Sequence, residues 1–230
     1  MNWLPMTTTP KALANQMRNL LNLLLESEIA IIINPVVEER FVQRTRVTWR
    51  APGSAIGLMS SSDFATVAEY RNFVDAQMYS AVLYDGAIVQ ISYDFRGNDL
   101  VGHRLCYYPC PFDMDPELVR SEPLGDLIEL YKENSETITN LRSPCRFDYD
   151  EQNAEPEHPA VHMHIVKAKC RWAVSGPLSV GHFIRFIFRH FYPDIWSVHS
   201  FLRKWPQERA GRRMIGRLDE LGLHVTCGLH

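Results

Sequence analysis

From Lys11 to Glu26 the apolar positions Leu13, Met17, Leu20, Leu21, Leu24 and Leu25 recur every three or four residues, which predicts an amphipathic helix. Ile29 to Ile33 then reads as a strand, broken at Asn34-Pro35. Arg46 to Arg50 alternates charged and apolar residues as a short strand would, and Ala51-Pro52-Gly53 ends it. Ser62 or Asp63 is placed to cap a helix running to about Met78, with Glu69 and Arg71 on its exposed side. The opening Met1 to Pro10, with two prolines and three threonines in a row, reads as a loosely ordered arm.

The clearest strand pair is Ser80 to Arg96 with Leu100 to Tyr108, joined at Gly97-Asn98-Asp99 and stopped by Pro109 and Pro111. Asp85-Gly86 divides the longer segment through a tight turn. Residues 116–133 read as one or two short helices. A second hairpin follows, Ser143 to Asp150 and Ala160 to Ser175, around the acidic loop Glu151 to Pro159. Val180, Phe183, Ile184, Ile187 and Phe191 then line one face of a helix capped by Ser179 and broken at Tyr192-Pro193. Ile195 to Trp205 and Glu208 to Leu221 read as two further helices. Turns this short join antiparallel strands, so the expected class is α+β. An antiparallel sheet built from hairpins would pack with an N-terminal helix and a C-terminal helical section. We expect one domain over 1–230, with the sheet in about 1–178 and the helical section in 179–230.

Composition narrows the class without naming a function. The chain has 230 residues, 46% hydrophobic and 22% charged, the profile of a globular protein rather than a disordered or coiled-coil one. Its best apolar run, Leu20 to Ile33, is interrupted by Asn22, Glu26, Ser27 and Glu28. That excludes a membrane span, and the run lacks the features of a secretory signal. Five cysteines (Cys106, Cys110, Cys145, Cys170 and Cys227) without a framework spacing predict reduced thiols in the cytoplasm. They read better as small buried side chains than as a four-thiolate zinc site. The net charge is −3 but unevenly placed: about −9 from Pro111 to Ala160 and about +4 from Val180 to His230. The basic C-terminal helices are therefore candidates to face RNA, DNA or an acidic protein surface, or they form a solvated face.

The densest chemistry lies on the second hairpin, in Arg146-Phe147-Asp148-Tyr149-Asp150 and His158-Pro159-Ala160-Val161-His162-Met163-His164. Strand side chains alternate, so Arg146, Asp148 and Asp150 share one face, and His162 and His164 project together on the partner strand. An antiparallel pairing can set carboxylates beside imidazoles, depending on register, with His158 at the loop mouth. Two schemes fit. Two histidines and a carboxylate can hold a divalent transition metal. Alternatively, one histidine acts as base and another as acid while Arg146 stabilises a phosphoryl oxyanion, as in a ribonuclease. The bland alternative is a polar ladder that keeps an exposed edge strand soluble. His103 with Arg104 could edge the same sheet, and His182 and His190 point roughly alike on the phenylalanine-rich helix. No phosphate-binding glycine loop, nucleophile elbow or dinucleotide fingerprint is present, so no nucleotide cofactor is expected.

The stretch His103-Arg104-Leu105-Cys106-Tyr107-Tyr108-Pro109-Cys110-Pro111-Phe112 resembles a recurrent block of bacterial proteins grouped as domain of unknown function 2290. Arg146 to Asp150, the His158-Pro159…His162-x-His164 segment, and the Phe183 to Pro193 helix and turn resemble its other blocks. The resemblance spans about residues 80 to 195 and implies continuity of fold, with no reaction attached. Over one hairpin the chain is also similar to toxin components of toxin–antitoxin pairs, which implies a role in mobile-element maintenance or phage defence.

The leading expectation is a nucleic-acid-directed enzyme, a ribonuclease-like toxin or defence effector. Arg146 would hold phosphate, Asp148 or Asp150 would orient or ligate, and His158, His162 and His164 would supply acid/base or metal-ligand work. The alternative is a non-catalytic adaptor or neutralising subunit that binds a protein encoded nearby. A metal-dependent hydrolase of a small phosphorylated molecule is a third option.

Overall fold

Local start and stop signals set the first and last long helices. Thr9 caps helix α1 (Pro10–Glu26) by accepting the Ala12 N–H at 3.2 Å, and Pro10 stands where a missing N–H costs nothing. Ser179 likewise caps α5 (Val180–Phe191), which ends at Tyr192 before Pro193. Between them lie β1 (Ala30–Ile33), β2 (Val36–Arg40), β3 (Thr45–Trp49), α2 (Val67–Asp75), β4 (Ala81–Leu83), β5 (Ile88–Arg96), β6 (Asp99–Tyr108), α3 (Pro116–Ser121), α4 (Leu124–Glu133), β7 (Cys145–Asp150), β8 (Val161–Ile165) and β9 (Arg171–Ala173). Three short helices follow α5: α6 (Pro193–Val198), α7 (Ser200–Lys204) and α8 (Arg217–Leu221). The computed structural model describes residues 9–50, 66–133, 142–155, 158–165, 169–206 and 210–226.

The strands form one nine-stranded sheet in the order β1-β4-β5-β6-β7-β8-β9, and every strand pair in it is antiparallel. β5 is long enough to pair with β4 through Ile88 and Val89 and with β3 through Tyr93 to Phe95, so the β2–β3 hairpin joins at its far end. Gly86, with φ +82°, supplies the left-handed turn between β4 and β5. The architecture is α+β.

The two sheet faces are treated differently. On one, Val47, Ile91, Tyr93, Leu105, Phe147, Val161 and Met163 pack with the buried stripes of α1 and α5 in the main core. On the other, Val82, Ile88, Cys106 and Tyr108 pack with Tyr70 and Phe73 of α2 and Leu124, Leu127 and Ile128 of α4. This second core covers only one end of its face. The other end carries polar side chains around a cavity of about 490 Å³.

Several expectations need correction. The cap of α2 is Thr66, which accepts the Glu69 N–H, and the helix ends at Asp75; Ser62 and Asp63 lie outside the described residues, as do Met1 to Thr8 and Ala51-Pro52-Gly53. Glu69 and Arg71 are half-buried, Arg71 pairing with both Asp75 and Glu129. β2 had no separate signal. The expected strand Ala160 to Ser175 is two antiparallel strands, β8 and β9, in which His162 pairs with Ala173 and His164 with Arg171. The helix expected over Ile195 to Trp205 is divided at His199 into α6 and α7. The one expected over Glu208 to Leu221 is reduced to α8, because the chain before it bonds to β9's exit instead: Met214 N–H donates to Ser175 O at 2.9 Å. Among the described residues no helix is long and apolar enough to cross a membrane.

Candidate active site on the open face of the sheet

Register assembles the site. Asp148 pairs with His162 on one side and Arg104 on the other, while Arg146 pairs with His164 and Cys106. Two cross-strand rows therefore run over the open face: Ser92, Arg104, Asp148, His162, Ala173 and, beside it, Gln90, Cys106, Arg146, His164, Arg171. Their odd-numbered neighbours Phe147, Tyr149, Val161 and Met163 point into the main core. Alternation anchors the hairpin apolar face down and lifts its polar row into the cavity.

Asp148 is the hub. Its Oδ2 lies 3.0 Å from Arg146 Nε, 3.3 Å from His164 Nε2 and 3.9 Å from His162 Nε2, and its Oδ1 lies 3.4 Å from Arg104 Nε. These groups are deep: relative exposure is 7% for Asp148, 4% for Arg146, 2% for His162 and 1% for His164. A solvated ladder on an edge strand does not describe them, since β7 and β8 are both interior strands.

The electrostatics follow from that packing. Burial pushes the Asp148 pKa up, but the His164 hydrogen bond and the Arg146 and Arg104 charges outweigh it and hold the carboxyl below its usual range. Burial pulls the His162 pKa down to about 4, against the opposing pull of the Pro159 carbonyl and Asp148, so the ring is neutral near pH 7. His162 Nδ1 donates to the Pro159 carbonyl at 2.7 Å, since a carbonyl can only accept, which leaves the Nε2 lone pair toward Asp148. Burial also lowers the Arg146 pKa, with Asp148 opposing.

The other expected residues are placed as follows. His158 stacks edge-on to His162, ring centroids 4.7 Å apart, at the half-buried mouth of the cavity. Burial and then Arg171 lower its pKa. Asp150 lines the cavity but serves its loop, accepting from the Gln152 and Asn153 backbone and the Asn153 side chain. Arg104 joins the site, whereas His103 belongs to the opposite face, where its Nε2 accepts the Leu178 N–H at 3.0 Å. His182 is held by Ser179, and His190 lies against Phe186.

Sequence reasoning missed most of the cavity's positive charge. Arg44, Arg46, Arg104, Arg146 and Arg171 line it against Asp94, Asp148 and Asp150, a formal +2 before any histidine is counted. Arg46 grips Asp94 with two bonds of 2.7 and 2.9 Å, and Arg171 stands exposed at the rim. The available signal was polar alternation in the β3, β5 and β6 segments, but the pairings that bring them together are long-range. Several C-terminal cations are engaged elsewhere: Arg203 caps the Trp196 and Ser197 carbonyls, Arg212 pairs with Glu151, Arg213 with Glu220, and Arg185 lies over Trp196. Arg209 and Cys227 lie outside the described residues.

The cysteines do not form a metal site among the described residues. Cys106 and Cys110 belong to the second core, Cys145 is buried in β7, and burial raises the pKa of all three thiols. The metal-competent group among the described residues is Asp148, His162 and His164, whose ligand atoms all lie within 4.8 Å of one another.

A family model described as "Uncharacterized conserved protein (DUF2290)" matches residues 33–227, a span that contains every residue of the site. No curated protein and no solved structure matches the chain.

Proposed function

The chain belongs to the DUF2290 family, and from the geometry of its site we propose that it hydrolyses phosphodiester bonds in nucleic acid, with RNA as the leading substrate. The observation that carries this reading is a buried carboxylate shared by two histidines and two arginines on the floor of an arginine-lined cavity. Guanidinium forks match phosphate oxygens, and a cavity with excess cationic charge favours an anionic substrate. Its volume of about 490 Å³ suits one nucleotide unit, while Arg44 and Arg171 extend the charge toward adjoining phosphates.

In this reading Arg104 and Arg146 hold the scissile phosphate and Asp148, His162 and His164 activate water. The water oxygen bonds to phosphorus, the bridging oxygen leaves and takes the proton, and the products are a phosphate monoester and a free hydroxyl. Charge developing on the equatorial oxygens meets preorganised cations, of which Arg146 is buried. Directed at cellular RNA, such cleavage would give the arrest expected of a toxin component or defence effector.

The test is cleavage of end-labelled RNA and single-stranded DNA by the wild type and by His162→Ala/His164→Ala. We expect RNA cleavage by the wild type and its loss in the folded double variant. Equal cleavage by both, or none of either substrate by the wild type, would remove the reading.

A further inference from the structure

We infer that Asp148, His162 and His164 form a binding site for one divalent transition-metal ion of the zinc, cobalt or manganese class, bound together with a phosphate anion. The inference rests on the hydrolase reading for its purpose, but the site itself is argued from geometry.

Zinc bonds of about 2.0–2.2 Å in a tetrahedron set ligand atoms about 3.2–3.6 Å apart. The Asp148 Oδ2 separations of 3.3 Å to His164 Nε2 and 3.9 Å to His162 Nε2 differ little from that spacing. All three ligand atoms fall within 4.8 Å of one another, so small side-chain adjustments close the triangle. The ligands are also preorganised. Asp148 and His162 are direct cross-strand partners and His164 is two residues along, so the backbone ladder fixes their spacing. The 2.7 Å bond from His162 Nδ1 to the Pro159 carbonyl sets the ring angle and tautomer, the outer-shell contact that ligating histidines usually make. Two imidazoles favour a transition metal over magnesium or calcium, which prefer oxygen. All three residues line the cavity, so remaining coordination positions open where substrate would lie.

The arginines explain why an anion should accompany the ion. Arg146 and Arg104 each approach an oxygen of Asp148, so a dication enters a site whose single carboxylate is already outnumbered. A phosphate in the cavity offsets this repulsion and bonds to cation and guanidinium alike. Binding of the two is then mutually reinforcing, since a coupling free energy acts equally in both directions. The ion would polarise the phosphoryl group and lower the pKa of water, both of which favour hydrolysis near neutral pH.

The experiment is calorimetric titration of the full chain, free of any polyhistidine tag, with Zn²⁺ and with Co²⁺ followed by visible absorption. Each is run with and without inorganic phosphate. We expect one ion per chain, binding about tenfold or more tighter with phosphate, and no displacement by excess Mg²⁺. His162→Ala and His164→Ala should each weaken binding by about tenfold or more and abolish the Co²⁺ band. His164→Gln, which keeps volume and a polar group, should do the same with its melting curve retained. Absence of stoichiometric binding, or binding unchanged in these variants, overturns the site. RNA cleavage that persists in EDTA with no ion bound defeats the metal and leaves the hydrolase reading standing. An ion bound through these residues without cleavage of RNA or single-stranded DNA sustains the site and defeats the hydrolase reading.

Discussion

His103 and His162 are both buried imidazoles whose pKa values burial pulls down to about 4, yet they serve opposite faces of the sheet. His103 lies between the rings of Tyr93 and Tyr149 and accepts the Leu178 N–H, which requires an unprotonated Nε2. In the unfolded chain a histidine titrates near pH 6.5. Its folded pKa is depressed, so its contribution to stability is complete above about pH 6.5 and is lost as pH falls through 4. We expect unfolding free energy, measured in urea from pH 7.5 to 4, to drop over that window by on the order of 3 kcal/mol from this residue. His162 adds to the fall in the wild type. His103→Gln, which can still accept the Leu178 N–H, should show a visibly smaller dependence. A profile as steep as the wild type's would show that His103 is not the group responsible.

At the scale of elements, what could be read from the chain was what its local patterns encode. Helix α1, the Ser179 cap, the β4–β5–β6 meander and the pairing of β7 with β8 follow from periods of 3.6 and 2 with turn residues between. The alternation in Arg146 to Asp150 and Val161 to Ile165 was enough to put Arg146, Asp148 and Asp150 on one face of a strand and His162 and His164 on one face of its partner. Their register was not legible, and neither was the pairing of β6 with β7, whose partners Arg104 and Asp148 stand far apart in sequence. Without that pairing, Arg104 could not be assigned to Asp148, nor Arg46 and Asp94 to the same cavity. The α7–α8 region failed for a related reason: helical periodicity lost to backbone bonds with Ala173 and Ser175, which no local pattern reports. Tertiary contact also constrains α5, whose Gly181 would bring a Cβ within 2.0 Å of the Pro206 carbonyl oxygen. Gly181→Ala should therefore cost about 1–3 kcal/mol in chemical denaturation while leaving cleavage by the folded fraction unchanged. A neutral substitution would mean that the Trp205-Pro206 segment yields freely.

Across the whole molecule, one sheet supports two unequal faces: a continuous core under α1 and α5, and an opposite face divided between a second core and a polar cavity. The net charge of −3 conceals this arrangement, because around the cavity five arginines outnumber three carboxylates. Substrate attraction should then be local and sensitive to salt. Arg171→Ala, at the exposed rim, should raise KM for RNA and reduce the salt slope of binding by about 1, with kcat and melting temperature unchanged. An unchanged KM would place the nucleic acid elsewhere. The central claim is that Asp148 organises a phosphodiester-cleaving site, and single-turnover cleavage of labelled RNA by Asp148→Asn against wild type tests it most directly. We predict a rate lower by about a thousandfold in a variant that still folds and binds RNA. A rate within a factor of about ten of wild type, in the same folded variant, would contradict it.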